Sequence, residues 1–304
     1  MDTHPDIRIL ESRLVTMTDS SAQRRICFVC FLPTFRAAGC HQNNGTFTRM
    51  AIFWCIDMND LKREIVLAGM ADLHFTRNSR GSLKQVFLEI TRKADVLLLC
   101  GDITEAGYVE EARALVDELK AVSNFPIIAV LGNHDFEQGK ETEIRKVFRK
   151  SGMMVLDGET CEFYGVGFAG VKGFGGGFGN RALQPWGEQI IKQFVNAAIK
   201  EATSLESALA KLRTKKKVVL LHYSPIRETV QGEHQEIFPY LGSSRLEDPL
   251  NRFSITAVFH GHSHHGTHEG KTANGTPVYN VALGVLAQTF PENPLYRLVR
   301  ISLE

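Results

Sequence analysis

From about residue 63 onward the chain reads as an α/β protein, on three observations. Short continuous apolar runs, each closed by turn-forming residues, have the length and composition of buried strands. Between them lie stretches whose apolar residues recur at helical spacing, as in helices that rest one face on a core. The two patterns alternate along the chain, which is the order of α/β folds.

The first 62 residues lack such a period and hold four of the six cysteines. They are expected to form an N-terminal extension, poorly ordered or the product of an upstream start codon with the true start at Met50 or Met58. The domain proper is then 63–304. Arg24-Arg25 before the apolar run Ile26–Leu32, with Ala38-Gly39-Cys40 after it, outlines a targeting segment, but Pro33 and Arg36 interrupt it and it begins late. Cys27 and Cys30 have the spacing of a zinc knuckle, with Cys40 and His41 as partners. No second well-spaced pair completes it, so reduced cysteines in an apolar stretch are expected.

The elements then follow in order. The expected strands are Ile65–Met70, Val96–Cys100, Ile127–Leu131, Val218–Leu221 and Ile255–Phe259, with further strands in Val155–Phe174 and in the tail Val278–Ile301. Leu83, Val86, Phe87 and Ile90 share one helical face, opened by Ser82 and Gln85 as a capping box. Val109, Ala112, Val116 and Leu119 form a second stripe. Ile190, Ile191, Phe194, Val195 and Ala198 form a third, and Leu205, Ala208, Leu209 and Leu212 a fourth, with a break expected near Thr203-Ser204. Lys215, Lys216 and Lys217 suit a solvated helix end. Gly165–Gly179 lacks the Gly-Lys-Ser/Thr ending of a phosphate loop and reads as a flexible loop near the site mouth.

Composition narrows the function. Apolar residues make up 43% of 304 and charged residues 23%, the balance of a globular chain. A net charge of +1 offers no field for nucleic acid or an anionic membrane, and no apolar run approaches the roughly 20 residues of a membrane span. The scattered cysteines suit a reducing compartment, so a cytoplasmic location is expected.

The chemistry sits at the strand ends. Ile65–Met70 leads to Asp72 and His74, Val96–Cys100 to Gly101-Asp102, and Ile127–Leu131 to Gly132-Asn133-His134-Asp135. Val218–Leu221 leads to His222, and Ile255–Phe259 to His260-Gly261-His262-Ser263-His264. Open α/β sheets collect ligands at the carboxyl ends of their strands, so five such ends bearing Asp, His and Asn imply one polar crevice. Carboxylate, imidazole and amide donors suit manganese, iron or zinc. Seven ligands exceed one tetrahedral site and suit two divalent or mixed-valence transition-metal ions sharing a carboxylate. The glycines at 101, 132 and 261 are expected where the chain turns without a side chain.

This series resembles the calcineurin-like metallophosphoesterase superfamily over residues 63–304, and Asp after Asn-His is similar to its class III cyclic-nucleotide phosphodiesterase branch. The resemblance implies a four-layer αββα sandwich of two mixed β-sheets flanked by helices. It implies that Asp72, His74 and His264 hold one metal, that Asn133, His222 and His262 hold the other, and that Asp102 bridges them. It also implies that His134 is an acid outside the metal sphere, oriented by Asp135. The expected activity is hydrolysis of a small phosphoester, foremost a phosphodiester, by a metal-bridging hydroxide. The alternatives are a nuclease, disfavoured by the neutral charge, and a non-catalytic metal-binding scaffold, disfavoured by the intact ligand set. His260 is expected to be structural and His265 and His268 to lie on the rim. Tyr223, Arg181 and Arg245 are candidate substrate contacts.

Overall fold

The structure is a computed structural model. It describes residues 62–122, 124–292 and 295–304 in full, and the backbone alone of the strands β1 (Arg13–Thr18), β2 (Arg24–Phe31) and β3 (Ala51–Asp57). The chain divides into two units, Met1–Arg63 and Glu64–Glu304. In the first, β1, β2 and β3 pair antiparallel in that order. The zinc-knuckle, start-site and targeting questions fall on side chains and residues outside those described.

The second unit holds β4 (Glu64–Met70), β5 (Val96–Cys100), β6 (Ile127–Val130), β7 (Met154–Val155), β8 (Glu159–Phe163), β9 (Val166–Gly170), β10 (Lys216–Leu220), β11 (Ala257–His260), β12 (Glu269–Lys271), β13 (Pro277–Asn280) and β14 (Arg297–Ser302). Its helices are α1 (Lys84–Lys93), α2 (Val109–Leu119), α3 (Glu141–Lys150), α4 (Gln189–Leu209), α5 (Phe238–Leu241), α6 (Glu247–Arg252) and α7 (Leu283–Thr289). One sheet has the order β14-β4-β5-β6-β7, with β14 antiparallel and the rest parallel. The other has the order β12-β13-β11-β10-β9-β8, with its two edge strands antiparallel and four parallel strands between them.

Strand alternation explains why these sheets stack. In β5, Leu97 and Leu99 point to a core shared with Phe87, Leu115, Ile144 and Phe148 of α1, α2 and α3. Val96, Leu98 and Cys100 point the other way, to a core shared with Phe168, Val218, Leu220 and Phe259 of the second sheet. The second sheet turns Ala169, Val219 and Val258 outward to Leu205, Leu209 and Leu250 of α4 and α6. Strands covered on both faces can be apolar at every position, and β5 is buried throughout. The result is the four-layer αββα sandwich of two mixed sheets.

Three local expectations change. The Ser82–Gln85 capping box does not form; the Glu118 carboxylate of α2 accepts from the amides of Gly81 (2.8 Å) and Leu83 (2.5 Å) instead, and so caps α1 from a neighbouring helix. The two stripes before Lys215 form one continuous helix, α4, without a break at Thr203-Ser204. There the Thr203 hydroxyl donates to the Ile199 carbonyl one turn back, which satisfies it inside the helix. Gly165–Gly179 is only partly a loop, because its first third holds the fully buried strand β9.

Candidate metal centre

The parallel strands β4, β5 and β6 of one sheet and β10 and β11 of the other all deliver their ligands just past their carboxyl ends. Backbone hydrogen bonds stitch these ends together. Asp72 N donates to Gly101 O (3.0 Å), His74 N to Asp102 O (3.1 Å), and Gly261 N to His222 O (3.2 Å).

The turns are sharp. Asp72, His74, Asp102 and His262 hold φ of 58°, 44°, 46° and 69°, in the left-handed region. Asp is among the residues that tolerate this region best, yet each such residue costs about 1–3 kcal/mol, which the surrounding structure must offset. Of the three glycines expected at sharp turns, only Gly101 has positive φ. Gly132 and Gly261 serve close approach instead. A Cβ on Gly132 would overlap the Asp102 carboxylate, and one on Gly261 would stand 2.5 Å from Asp72 Oδ2.

The side chains converge in three groups, Asp72 with His74 and His264, Asp102 with His222 and His262, and His74 again with Glu105 and His134. Within each, one ligand atom per residue lies within 4.8 Å of the others. Asn133 joins the second group, its Oδ1 2.9 Å from His222 Nε2. Asp72 Oδ1 lies 3.1 Å from His264 Nε2, and Asp102 Oδ1 lies 3.3 Å from His222 Nε2. All seven predicted ligands are therefore brought together at the strand ends.

The ring nitrogens are directed from behind. His222 Nδ1 donates to the Cys100 carbonyl (2.9 Å), which turns Nε2 toward Asp102 and Asn133. His262 Nε2 donates to the Tyr240 carbonyl (3.1 Å), which leaves the lone pair on Nδ1. Such backing fixes the tautomer of a metal-binding imidazole. Burial disfavours charge on His222, but Asp102's charge and hydrogen bond outweigh it and hold the ring at about 9. The same pair works on Asp102, whose burial penalty is overcome by His222, so its carboxyl stays well below the usual carboxylate range. Burial, then the neighbouring His222, push His262 down to about 3, and burial pushes His260 down to about 4.

One observation tests directly whether these residues fit a metal. Both ring nitrogens of His74 are buried without a hydrogen-bond partner. Glu105 Oε2 is 3.2 Å from Nδ1 but off the hydrogen-bond axis. A buried lone pair with no donor facing it, beside Asp72 and His264, fits a cation.

His134 lies beside both groups, its ring 4.6 Å from that of His74 and its Nε2 4.0 Å from Asp102 Oδ2. Its partner differs from the expected one. Nδ1 donates to the Glu105 carbonyl at 2.6 Å, while the fully buried Asp135 accepts from the amides of Gly132 (2.8 Å), Ile103 (3.2 Å) and Thr104 (2.8 Å) and from the Thr104 hydroxyl (2.6 Å). Asp135 thus ties the β5 and β6 turns together, and Glu105 orients the ring. Sequence reading misses Glu105, although an acid three residues after Gly101-Asp102 was a usable signal. The carbonyls of Cys100 and Tyr240 leave no sequence signal.

The remaining candidates sort plainly. His260 is buried and bonded to Gly261 O and the Thr229 hydroxyl, both at 2.8 Å. His265 is exposed. His268 is not on the rim: it is buried, with Nδ1 on Asn280 O and its ring against Phe290. Tyr223 stacks on His262 with centroids 4.3 Å apart. Arg245 is engaged by the Leu183 carbonyl, and Arg181 is exposed in a short turn.

The family model for calcineurin-like phosphoesterases matches residues 65–266, the span that contains every one of these ligands. Among solved structures, the chain is similar to the phosphopantetheinyl hydrolase from Mycobacterium tuberculosis, at 14% identity over 78% of this chain and 96% of that one, with a TM-score of 0.55. It is also similar to a putative 5'-nucleotidase from Staphylococcus aureus, at 15% identity over 71% of this chain and 48% of that one, with a TM-score of 0.44. None of the curated proteins matches.

Proposed function

Because this chain belongs to the calcineurin-like phosphoesterase family, whose members are metal-dependent hydrolases of phosphoesters, we propose that it is a binuclear enzyme acting on small phosphodiesters. The observation that carries this reading is the pair of three-residue ligand groups side by side at the strand ends, with Asp102 in the second group, its carbonyl on the His74 amide of the first, and His134 beside them. Asp72, His74 and His264 would hold one divalent ion, Asn133, His222 and His262 a second, and Asp102 would serve both. Ions so held supply Lewis acidity toward a phosphoryl oxygen and ionise water near neutral pH.

The chain's own residues do the rest. With Nδ1 on the Glu105 carbonyl and 3.4 Å from Glu137 Oε1, His134 keeps Nε2, the atom nearer Asp102, for proton exchange. That nitrogen would protonate a departing alkoxide, the step a diester with a poor leaving group needs. Tyr223 and the Tyr240 carbonyl brace His262. Among the described residues no helix is long and apolar enough to cross a membrane.

The test is a panel of mono- and diesters, with a short oligonucleotide, assayed on metal-reconstituted protein with metal content measured alongside. Turnover of diesters above monoesters supports the reading. Monoester turnover alone, or preference for the oligonucleotide, overturns it in favour of a phosphatase or nuclease.

A further inference from the structure

Ten large apolar side chains are exposed among the described residues, and six of them fall in two short segments: Leu183, Trp186, Ile190 and Ile191 in one, Ile237 and Tyr240 in the other. Trp186, Ile190 and Tyr240 are 73%, 69% and 63% exposed, values at which large apolar side chains are not covered by their own fold.

The two segments are joined to each other and to the metal centre. Leu183 N donates to Gly176 O (2.7 Å) and Gly176 N to Pro239 O (2.6 Å), which ties the first segment to α5. Ile190 and Ile191 precede Phe194 by four and three residues on α4 and so share its face. From there a chain of rings runs inward. Tyr240 to Phe194 is 6.2 Å, Phe194 to Phe174 is 4.9 Å, Phe174 to Tyr223 is 5.8 Å and Tyr223 to His262 is 4.3 Å. At the inner end the Lys172 ammonium lies over the Phe174 and Tyr223 rings at 4.9 and 5.0 Å. Packed rings, half-buried at Phe194 and Phe174 and buried at Tyr223, therefore connect the exposed apolar groups to a cation beside the metal ligands, and the exposed Tyr240 itself meets His262 through its carbonyl (3.1 Å).

We infer that the substrate is an amphiphile, a phosphoester whose apolar arm lies on the Leu183–Ile191 and Tyr240 surface while its phosphoryl group reaches the metal centre. This rests on the phosphoesterase reading above. The contact of Tyr240 with the ligand His262 favours the arm of a substrate over a separate partner, because an arm anchored at the metal centre leaves it beside Tyr240.

The experiment compares ethyl and octyl 4-nitrophenyl phosphate, below the micellar concentration of the octyl ester, on the metal-loaded full chain. The leaving group is common to both, so the ratio of their kcat/KM reports only the arm. Burial of a methylene is worth about fourfold, so even partial contact gives an octyl-to-ethyl ratio above about tenfold. In Trp186→Ser/Ile190→Ser and in Tyr240→Ser that ratio falls toward one, and because it is a ratio, a general loss of folding or metal cancels. A wild-type ratio near one with the ethyl ester hydrolysed overturns the amphiphile and leaves the phosphoesterase. A ratio unchanged in the variants also overturns it, as the arm then lies elsewhere. So does a gain that appears only above the micellar concentration, which indicates a lipid surface, or a wild-type ratio near one in a chain that sediments as a dimer, which indicates a second copy on this face. Failure to hydrolyse either ester overturns the phosphoesterase reading, and this inference with it.

Discussion

The two sheets contribute unlike halves to the candidate metal centre. The five-stranded sheet supplies Asp72, His74, Asp102 and Asn133, and with them both carboxylates. The six-stranded sheet supplies only imidazoles, His222, His262 and His264. The acidic half is shaped by its own backbone: Asp72, His74 and Asp102 all sit at positive φ, and Gly132 makes room for Asp102. The imidazole half is aimed largely across the interface, by Asp72 on His264, by Asp102 and Asn133 on His222, and by the Cys100 carbonyl. Neither half is a site alone. The centre exists only where apolar packing between the sheets brings the strand ends together, so stability of that packing and geometry of the chemistry are one property.

The strongest way to break this picture is at Asp102, the proposed bridge. Wild type is expected to hold close to two transition-metal ions per chain, and Asp102→Ala to disturb both sites and cut turnover by on the order of 10³-fold or more, beyond what loss of a single electrostatic stabiliser costs. Elemental analysis and assay check this together; full occupancy in the variant would remove Asp102 from its bridging place.

His134 belongs to the acidic half and lies within reach of His74 and Glu105, but the proposal puts it outside the metal sphere, so its loss is expected to separate chemistry from metal binding. His134→Ala is expected to retain both metals and the melting temperature while slowing an alkyl-leaving diester about 10²–10⁴-fold and an aryl diester far less. Equal losses across matched diesters of differing leaving-group pKa would strip it of the acid role.

A smaller effect is expected at Glu105, whose carboxylate faces His74 while its carbonyl holds His134. Glu105→Gln keeps the carbonyl and removes the charge. Metal affinity, measured by titration, is expected to fall about tenfold, the lower end for an outer partner of a ligand, with the leaving-group dependence set by His134 intact. A change in that dependence would mean the carboxylate, not the carbonyl, governs the acid.

The mildest test concerns the imidazole half. Burial holds His260 at about 4 in the fold, against an ordinary value of 6.5. A depressed histidine costs no stability above 6.5; as pH falls below that, the unfolded chain takes up the proton first, and the fold loses up to roughly 3 kcal/mol by pH 4. Denaturant midpoints between pH 7 and 4 are expected to decline more shallowly in His260→Asn than in wild type. Parallel declines would assign the loss to other groups.

The sequence by itself determined which residues could form the centre. Apolar runs of four to six residues, each closed by Asp, His or Asn, carry a local signal, because a strand buried on both faces has no polar position to spare until it ends. The amphipathic stripes placed α1 and α2 for the same reason. What only the tertiary structure decided depends on groups far apart in the chain. The Glu118 cap on α1, the unbroken run of α4 through Thr203, the Glu105 carbonyl on His134 and the Cys100 carbonyl on His222 lie in this class. So does the release of Asp135 from His134 to four donors that tie two turns together. A backbone carbonyl has the same chemistry at every residue and leaves no trace in the sequence, and a cap is satisfied by whichever acid the packing brings near. Periodicity records which face of an element is buried, but the partner on the other side of that face is chosen only when the layers close.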